Sequence, residues 1–336
     1  MKRKNNLYKD IYKFENIMYC FNEVCKNTKN KKKVEEFKNY KAIYISRCYQ
    51  ELKNKKYEMG KFHIFYIYDP KERRIVSQNM YDKLVNHLVS RYILYPAIIP
   101  CLIDSNCASR PKKGVKYALD LYFKYRKILD NKNKNYYILK CDIKSYFASI
   151  DIEILKDKIK KRIKEKDSID IINKILDGDN ILSIGFMTSQ ILGIFYLNDL
   201  DHYIKEELKI KYYVRYQDDF LLLHEDKKYL KYCLDQIKYF LKKEKLELNK
   251  KTRIYKNSNN FIFLGRNKYH NYSNYRNIKR KLKYKKYLYE INQVHLNHYL
   301  SSYICYKNIV HWTKLTFPSK KFTGSKIIIK NNELLI

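Results

Sequence analysis

The sequence predicts a mixed fold of amphipathic helices and short antiparallel strands, and its most informative feature is a hairpin near its middle. Residues 212–216 form one apolar, aromatic run and residues 220–223 form another, as in two buried strands. Between them stand Asp218 and Asp219. Two adjacent carboxylates between buried strands are costly unless a cation holds them, and Mg²⁺ is the natural partner. An ordinary turn with solvated carboxylates is the simpler explanation of this pair taken alone.

A second predicted strand also ends in a carboxylate. Residues 136–141 read Tyr-Tyr-Ile-Leu-Lys-Cys, and Asp142 follows directly. A lone Asp after a strand is usually a helix cap or a turn residue. Two strands in one chain that each carry a carboxylate favour a metal site instead, because Asp142, Asp218 and Asp219 together would hold two divalent ions.

The charge of the chain indicates a polyanionic partner. Its 71 Lys and Arg against 35 Asp and Glu give a formal net charge of +36, which favours nucleic acid. Tyr is also frequent, at 36 residues, and Tyr interleaved with Lys suits stacking on bases. An AT-rich genome explains part of the excess of Lys and Tyr, yet the positive field remains. The content of 45% hydrophobic residues indicates a folded protein rather than a disordered one.

The cysteines and the apolar runs exclude several other classes of protein. The eight cysteines show no Cys-x-x-Cys spacing, so we expect reduced, buried thiols and neither a zinc site nor a disulfide framework. The basic N-terminus is not followed by an apolar core, and no apolar run has the length of a membrane span. These features predict a cytoplasmic protein without membrane contact.

The first elements along the chain are predicted to be helices and a strand-turn-strand. Apolar spacing predicts helices within residues 8–58, and residues 62–68 predict a strand that a basic turn joins to a second strand from Ile75. Lys71 and Arg74 at this turn could reach a triphosphate. A solvated basic turn explains them equally well.

Helices dominate the following stretch, and strands return after the hairpin. A glycine loop at residues 184–185 is expected to open an apolar helix with Thr188 or Ser189 as its cap, although a capped core helix is the simpler explanation of this segment. The other predicted elements are a helix over 81–95 ended by Pro96 and Pro100, a basic loop at 109–114, helices over 115–127, 152–176 and 229–244, short strands at 246–249, 253–255 and 261–266, a basic segment at 278–289, a helical region over 294–315 and an edge strand at 327–329.

Five segments, in this order, resemble those of bacterial reverse transcriptases. Residues 216–219, Tyr-Gln-Asp-Asp, are similar to the family's Tyr-x-Asp-Asp box, and residues 142–151 to the segment that carries the first catalytic Asp. Residues 70–76 resemble the fingers hairpin that closes over the nucleotide. Residues 109–114 resemble the Cys-Arg-Pro-x-Lys-Gly loop, and residues 263–265 the primer-grip turn. Each segment alone is a weak signal, but five in the family's order leave little room for chance.

The resemblance covers nearly the whole chain, from about Phe14 to Trp312. It implies an α+β right-hand polymerase, with fingers and N-terminal helices over residues 1–135, a catalytic palm with an antiparallel sheet over 136–268, and a short helical thumb with a basic tail over 269–336. The implied activity is RNA-directed DNA synthesis, the addition of dNTPs to a 3′-hydroxyl with two Mg²⁺ ions, for which Mn²⁺ can substitute. The implied partners are an RNA template and a DNA or RNA–DNA duplex.

The resemblance also implies roles for individual residues. Asp142, Asp218 and Asp219 would be the catalytic carboxylates and, with the backbone carbonyl of Ile143, the metal ligands. Phe147 stands where the family has the bulky side chain that excludes a ribose 2′-hydroxyl. The residues implied in nucleotide binding are Lys71, Arg74, Tyr146, Phe147, Gly185 and Gln190, of which the last two would line the template-nucleotide pocket with Ile184. Those implied in nucleic-acid binding are Arg110, Lys112, Lys113, Tyr216, Gly265, Lys279, Arg280 and Lys283.

The glycine loop indicates a lineage within that family. Its pattern, Ile184-Gly185 followed by Ser189-Gln190, is typical of reverse transcriptases of diversity-generating retroelements and of related enzymes, many of them in antiphage defence. Departures from the family pattern, such as Ser109 for Cys, favour defence. A retroelement enzyme, template-independent DNA synthesis by the same palm and a catalytically inactive RNA-binding protein are the alternatives. A noncoding RNA, an accessory protein and an oligomer are left open as partners.

Overall fold

The fold is known from a computed structural model, which describes residues 3–68, 72–132, 135–179, 181–259, 261–266, 275–306, 328–330 and 333–335. Its α-helices are α1 (Phe14–Asn27), α2 (Lys31–Asn39), α3 (Lys41–Lys53), α4 (Met80–Val89), α5 (Tyr95–Ile98), α6 (Val115–Lys132), α7 (Tyr146–Ser149), α8 (Ile152–Arg162), α9 (Lys166–Asp177), α10 (Met187–Tyr196), α11 (Asn198–His202), α12 (Lys227–Lys243), α13 (Tyr275–Glu290) and α14 (Leu296–Tyr306). Its strands are β1 (His63–Ile67), β2 (Arg73–Ser77), β3 (Tyr137–Asp142), β4 (Tyr212–Tyr216), β5 (Asp219–His224), β6 (Arg253–Lys256), β7 (Ile328–Lys330) and β8 (Glu333–Leu335).

The N-terminal helices form because their apolar residues recur at helical spacing. Ile17, Phe21 and Val24 of α1 are buried together and share one face of the helix. This face packs against α4, whose Leu84 and Leu88 are fully buried. The predicted helices within residues 8–58 are confirmed, and the predicted strand-turn-strand is the antiparallel pair β1–β2.

The helix predicted over residues 81–95 does not end at Pro96. A π-helical turn over Ser90–Leu94 follows α4, and Pro96 lies in the first turn of α5. The residues before Pro96 keep right-handed helical angles, so the helical stretch continues through this proline. A 3₁₀ turn over Ile99–Cys101 contains Pro100 and ends the helical stretch.

A four-stranded antiparallel sheet in the order β4-β5-β3-β6 lies at the centre of the molecule. Its two faces are both covered. Ile138 and Leu221 pack with residues of α6, whereas Leu139 and Leu222 belong to the main core with residues of α12. Burial on both faces explains why these strands read as continuous apolar runs.

Two short strands predicted after α12 are not strands. Lys245 adopts a left-handed φ of 56° directly after the helix, and in residues 246–249 only Leu248 pairs, in an isolated bridge with Ile143. For residues 261–266 the prediction is a strand with a tight turn, and only the turn is found, closed by a bridge between Phe263 and Arg266. Each segment forms one isolated β-bridge, and a single bridge is too short to form a β-ladder.

The described part of the C-terminal region contains the helix pair α13–α14 and the hairpin β7–β8. The predicted edge strand at residues 327–329 overlaps β7, which covers Ile328–Lys330, and residue 327 lies outside the described residues. Lys71, Trp312 and the side chain of Lys279 lie outside the described residues.

Seven cysteines of the described residues are free, and six of them are buried, with Cys25 half-buried. The expectation of reduced thiols is confirmed for these seven. In the ranges that the structure describes, no helix combines the length and the apolar character needed to cross a membrane.

Candidate active site

The predicted hairpin is confirmed, with a two-residue turn at its tip. Tyr216 pairs with Asp219 across β4 and β5, which leaves Gln217 and Asp218 as the turn. Gln217 has a left-handed φ of 56°, as the primed turns of tight hairpins require. Asp219 therefore opens β5 instead of lying in the turn, which corrects the expectation that both carboxylates are turn residues.

The sheet brings the two acidic strand ends together. Asp142, the last residue of β3, lies directly opposite Asp219 in the β3–β5 register. Directly opposite residues in antiparallel strands have Cβ atoms about 5 Å apart and project to the same face. The sheet thus places the carboxylates of Asp142 and Asp219 side by side, with Asp218 one residue away on the turn.

The electrostatics of Asp219 are those of a carboxylate that lacks a full counterion. Burial raises its pKa to about 7; Lys140 opposes this shift, while Asp142 and Asp218 add to it. Lys140 Nζ lies 3.5 Å from Asp219 Oδ2 and also donates to the Ile262 carbonyl at 2.7 Å. Asp219 Oδ1 is buried and has no hydrogen-bond partner among the residues that the structure describes. A divalent cation would satisfy this oxygen and offset the repulsion.

The predicted metal ligands fit this requirement in their chemistry. The backbone bridge at Ile143 uses the carbonyl of Asp142 and the amide of Lys144, so the Ile143 carbonyl takes no part in it. In the described part of the chain, no three His, Cys, Asp or Glu side chains are already assembled as a metal site. The ligand set of Asp142, Ile143, Asp218 and Asp219 therefore stays a prediction.

The turn residue Gln217 joins two other predicted motifs. Its Nε2 donates to Ser109 Oγ at 3.0 Å and to Gln190 Oε1 at 3.2 Å. Ser109 begins the basic loop, and Gln190 lies on α10 behind the glycine loop. Three motifs that are far apart in the sequence therefore meet at the acidic turn.

Two adjacent aromatic residues predicted to bind the nucleotide have different environments. Tyr146 is 3% exposed, and its hydroxyl donates to the Gly193 carbonyl at 2.5 Å. Its ring packs in the core, and its contact with a nucleotide stays a prediction. Phe147 is half-buried, and a Cβ at Gly193 would lie 3.3 Å from its ring. The helix α10 therefore supports Phe147 through a glycine.

The glycine loop docks on the fingers hairpin through its backbone. Val76 N donates to the Ile184 carbonyl at 2.9 Å, and Gly185 has a φ of +127°. A Cβ at Gly185 would lie 2.2 Å from the Val76 carbonyl oxygen, so the loop needs glycine here.

The predicted cap of α10 is wrong. The helix begins at Met187 without a side-chain cap, and Thr188 and Ser189 are buried inside it. Thr188 Oγ1 instead donates to Asn86 Oδ1 at 2.7 Å. The hydroxyl thus joins α10 to α4 and is not available to the first amides of the helix.

Arg74 on β2 is held by a carboxylate. Its Nη1 and Nη2 each donate to an oxygen of Asp179 at 2.6 Å, and Ser183 Oγ donates to the same carboxylate. Arg74 is therefore paired in the described structure, and its predicted contact with a triphosphate requires it to leave Asp179.

The basic loop contributes less free charge than its sequence indicates. Arg110 Nη1 donates to the carbonyls of Ile103 and Asn106, at 2.6 and 2.9 Å, and Lys113 Nζ donates to Asp104 Oδ1 at 2.6 Å. These two side chains hold the loop together, and their contacts with nucleic acid stay predictions. Lys112 is exposed.

The other residues predicted to bind nucleic acid lie at the edges of the site. Tyr216 is half-buried at the end of β4, and Gly265 is exposed in the turn after β6 with a φ of +79°. Arg280 and Lys283 are exposed on α13. Their contacts with nucleic acid stay predictions.

The sequence analysis missed a buried ion pair directly beside the turn. Arg215 and Asp201 have fully buried side chains, with Arg215 Nη2 2.5 Å from Asp201 Oδ2. The available signal was an arginine in the middle of an apolar strand run, where an unpaired charge is not tolerated.

An antiparallel sheet whose hairpin carries the carboxylates, with a glycine loop and a fingers hairpin packed against it, is the palm of a nucleotidyl-transferring polymerase. The chain belongs to the reverse transcriptase (RNA-dependent DNA polymerase) family, whose model matches residues 53–267. The predicted fold is thereby confirmed as the right-hand polymerase fold, with helices and an antiparallel sheet. The class of enzyme that this family defines is the RNA-directed DNA polymerase, a nucleotidyltransferase.

Solved structures of telomerase are similar to the chain. Apo telomerase from Candida tropicalis, truncated from the C-terminal domain, is 17% identical over 62% of this chain and 52% of its own, with a TM-score of 0.48. Telomerase from Candida albicans in complex with a TWJ fragment of telomeric RNA is 14% identical over 76% of this chain and 54% of its own, with a TM-score of 0.46. The chain thus spans about half the length of these proteins. No curated protein matches its sequence.

Proposed function

We propose that this protein synthesises DNA on an RNA template, by adding dNTPs to the 3′-hydroxyl of a primer at Asp142, Asp218 and Asp219. The observation that carries the proposal is the register of the sheet, which sets Asp142 opposite Asp219 with Asp218 on the adjoining turn. The membership of the reverse transcriptase family supports it. The formal net charge of +36 supports a nucleic-acid partner.

The carboxylates suit magnesium, as the unpartnered Oδ1 of Asp219 indicates. Asp142, Asp218, Asp219 and the Ile143 carbonyl would hold two ions. When bound, such ions lower the pKa of the attacking hydroxyl and stabilise the leaving pyrophosphate, and Mn²⁺ can replace Mg²⁺. The protein supplies the rigid sheet that keeps the carboxylates together.

The surroundings of the carboxylates suit the substrates of this reaction. Phe147 would exclude a ribose 2′-hydroxyl. Its ring packs against Gly193, which prevents the ring from moving away from the substrate. Gly185 and Gln190 would line the pocket for the template nucleotide, and Arg74 together with Lys71 would neutralise the triphosphate. Fingers over residues 1–135, a palm over 136–268 and a thumb over 269–336 would enclose a template–primer duplex.

Antiphage defence is the biological role that we propose, on the basis of departures from the family pattern such as Ser109. The free, buried cysteines support a cytoplasmic location. The neighbouring genes test the role. A structured noncoding RNA or a second polymerase gene beside this gene would support defence, whereas a repeat pair with a variable target protein would assign the enzyme to a diversity-generating retroelement.

Primer extension on a defined RNA template tests the activity. The wild type with Mg²⁺ should extend a primer with dNTPs and not with ribonucleotides. Asp218→Asn should lower the rate by about 1,000-fold or more, which corresponds to about 4 kcal/mol of barrier. The matched control is Asp226→Asn, because Asp226 caps α12 at the other end of the same hairpin and Asn caps helices equally well.

The outcomes separate the alternatives. Extension that follows the template sequence and is lost only in Asp218→Asn supports the proposal. Extension without regard to the template would point to untemplated synthesis by the same carboxylates. Template binding with no extension in the wild type would point to a catalytically inactive binding protein and would overturn the proposal.

A further inference from the structure

Arg215 occupies the middle of the palm, on the strand that leads into the catalytic turn. It is the largest side chain among those that the structure describes as fully buried, and its partner Asp201 on α11 is fully buried too. A buried guanidinium is tolerated only where its donors are satisfied. The partners of its four hydrogen bonds therefore indicate the role of Arg215.

Two of these hydrogen bonds form a fork onto one carboxylate. Arg215 Nε donates to Asp201 Oδ1 at 2.7 Å, and Nη2 donates to Oδ2 at 2.5 Å. Asp201 also accepts from the Tyr213 hydroxyl at 2.7 Å and from Asn106 Nδ2 at 3.3 Å. A guanidinium held at two points by a carboxylate that is itself held by two neighbours has one orientation.

The other two hydrogen bonds reach the catalytic machinery. Nη1 donates to the carbonyl of Gln217 at 2.8 Å, and Nη2 donates to the carbonyl of Ile194 at 2.8 Å. Because the peptide unit is planar, fixing the Gln217 carbonyl also fixes the amide plane from which Asp218 starts. Ile194 lies on α10, the helix that carries Gln190. One side chain therefore ties the turn of the carboxylates to the helix behind the template pocket.

We propose that Arg215, oriented by Asp201, is a positioning residue of the polymerase reaction. It sets the Gln217–Asp218 peptide so that the carboxylates of Asp218 and Asp219 converge with that of Asp142. It keeps α10 in register with that turn. This inference rests on the proposed function, because it assigns to Arg215 the alignment of the proposed catalytic groups.

Arg215→Lys tests the proposal, because lysine keeps the charge and loses the guanidinium that holds Asp201 at two points and also reaches two carbonyls. We expect kcat to fall by about 10- to 100-fold, as for a small misplacement of reacting groups, with the KM for dNTP within about 3-fold of the wild type. Asp201→Asn, which keeps the shape of the partner, should lower kcat in the same way if Arg215→Lys fails to fold.

The matched control is another buried cation that does not touch the turn. Lys158 is 7% exposed, and its Nζ contacts Asp199 and Glu244 at 2.5 and 3.0 Å. Lys158→Met should lower the thermal midpoint while leaving kcat unchanged. Thermal unfolding of every variant, with kcat measured well below each midpoint, separates misplacement from loss of folded protein.

The results that would overturn the proposal are specific. A kcat of Arg215→Lys and Asp201→Asn that stays at the wild-type value, or one that falls no further than that of Lys158→Met, would make the pair a purely structural element. A wild type that fails to extend primers would instead refute the proposed function, and the positioning role would fall with it. A loss in Arg215→Lys that appears only in the KM for dNTP would place Arg215 in substrate binding, against the proposal.

Discussion

Two arginine–aspartate forks in this molecule have the same chemistry and opposite surroundings. Arg215 and Asp201 lie beside the central sheet with side chains 0% exposed, whereas Arg74 on β2 and Asp179 after α9 have side chains 27% and 7% exposed. Water and ligands can reach the second pair and not the first. The sealed pair is suited to hold a fixed geometry, and the accessible pair is suited to exchange its carboxylate for another anion.

The largest effect should come from breaking the sealed pair. Asp201→Ala leaves the guanidinium of Arg215 buried without its counterion, which costs about 3–5 kcal/mol in the free energy of unfolding. Urea unfolding of the variant and the wild type measures this cost. A loss of less than about 1 kcal/mol would show that water reaches Arg215, and the contrast between the two pairs would disappear.

Asp219 lies on the same hairpin as Arg215 but lacks a fully buried partner. Replacing this carboxylate should stabilise the protein instead of destabilising it. The pKa of Asp219 is raised to about 7 by its burial, so the folded state binds a proton that the unfolded state releases near pH 4. The free energy of unfolding of the metal-free protein should therefore fall as the pH rises from about 4 to about 7, and stay low above that. Asp219→Asn removes this dependence and should stabilise the protein by about 2–4 kcal/mol at pH 8.

Thermal unfolding between pH 5 and pH 8 without divalent ions tests this prediction. The wild type should lose stability relative to Asp219→Asn as the pH rises, and Asp226→Asn should follow the wild type. Parallel profiles for the wild type and Asp219→Asn would contradict the burial of an ionised Asp219.

The hairpin β1–β2 is held at its base by backbone contact with the glycine loop. Substitutions at two glycines, one at this contact and one away from it, test how close the contact is. Gly185 and Gly265 both have positive φ, but a Cβ would meet the Val76 carbonyl at 2.2 Å in the first case and no atom of the described residues within 4 Å in the second. Gly185→Ala should cost about 1–3 kcal/mol more than Gly265→Ala in the free energy of unfolding. Equal costs by urea unfolding would mean that only the backbone conformation matters and that the loop is not pressed against β2.

The smallest effect on stability should come from the accessible pair. Asp179→Asn should cost about 1 kcal/mol or less. Because it releases Arg74 for the triphosphate, the KM for dNTP should fall by up to about 5-fold, the equivalent of about 1 kcal/mol. The control is Asp167→Asn, which loosens a surface pair with Lys55. A rise in the KM of Asp179→Asn would show that Asp179 orients Arg74 and does not compete with its ligand.

The sequence predicts the palm well because its signals are local. The strands β3, β4 and β5 are buried on both faces, so their apolar runs stand out, and the carboxylates interrupt those runs at the strand ends. The two-residue turn sets the register between β4 and β5, whereas the register that sets Asp142 opposite Asp219 pairs two strands that are far apart in the sequence.

The roles of individual polar side chains could not be predicted, because they depend on contacts in three dimensions that residue type and spacing do not show. Arg215 and Asp201 are 14 residues apart and on different elements. Tyr146 and Phe147 are adjacent and equally apolar, yet only the direction of a short helix decides that the first is buried. Arg110 donates hydrogen bonds to nearby backbone carbonyls, and a count of basic residues does not show this.

The central claim is that the acidic hairpin copies RNA into DNA, and the most direct test is to sequence the nucleic acid that co-purifies with the protein and with the Asp218→Ala/Asp219→Ala double variant. We predict DNA complementary to a bound RNA in the wild type, and the same RNA without that DNA in the variant. Repetitive DNA with no matching RNA, or bound RNA without DNA in both samples, would contradict the claim.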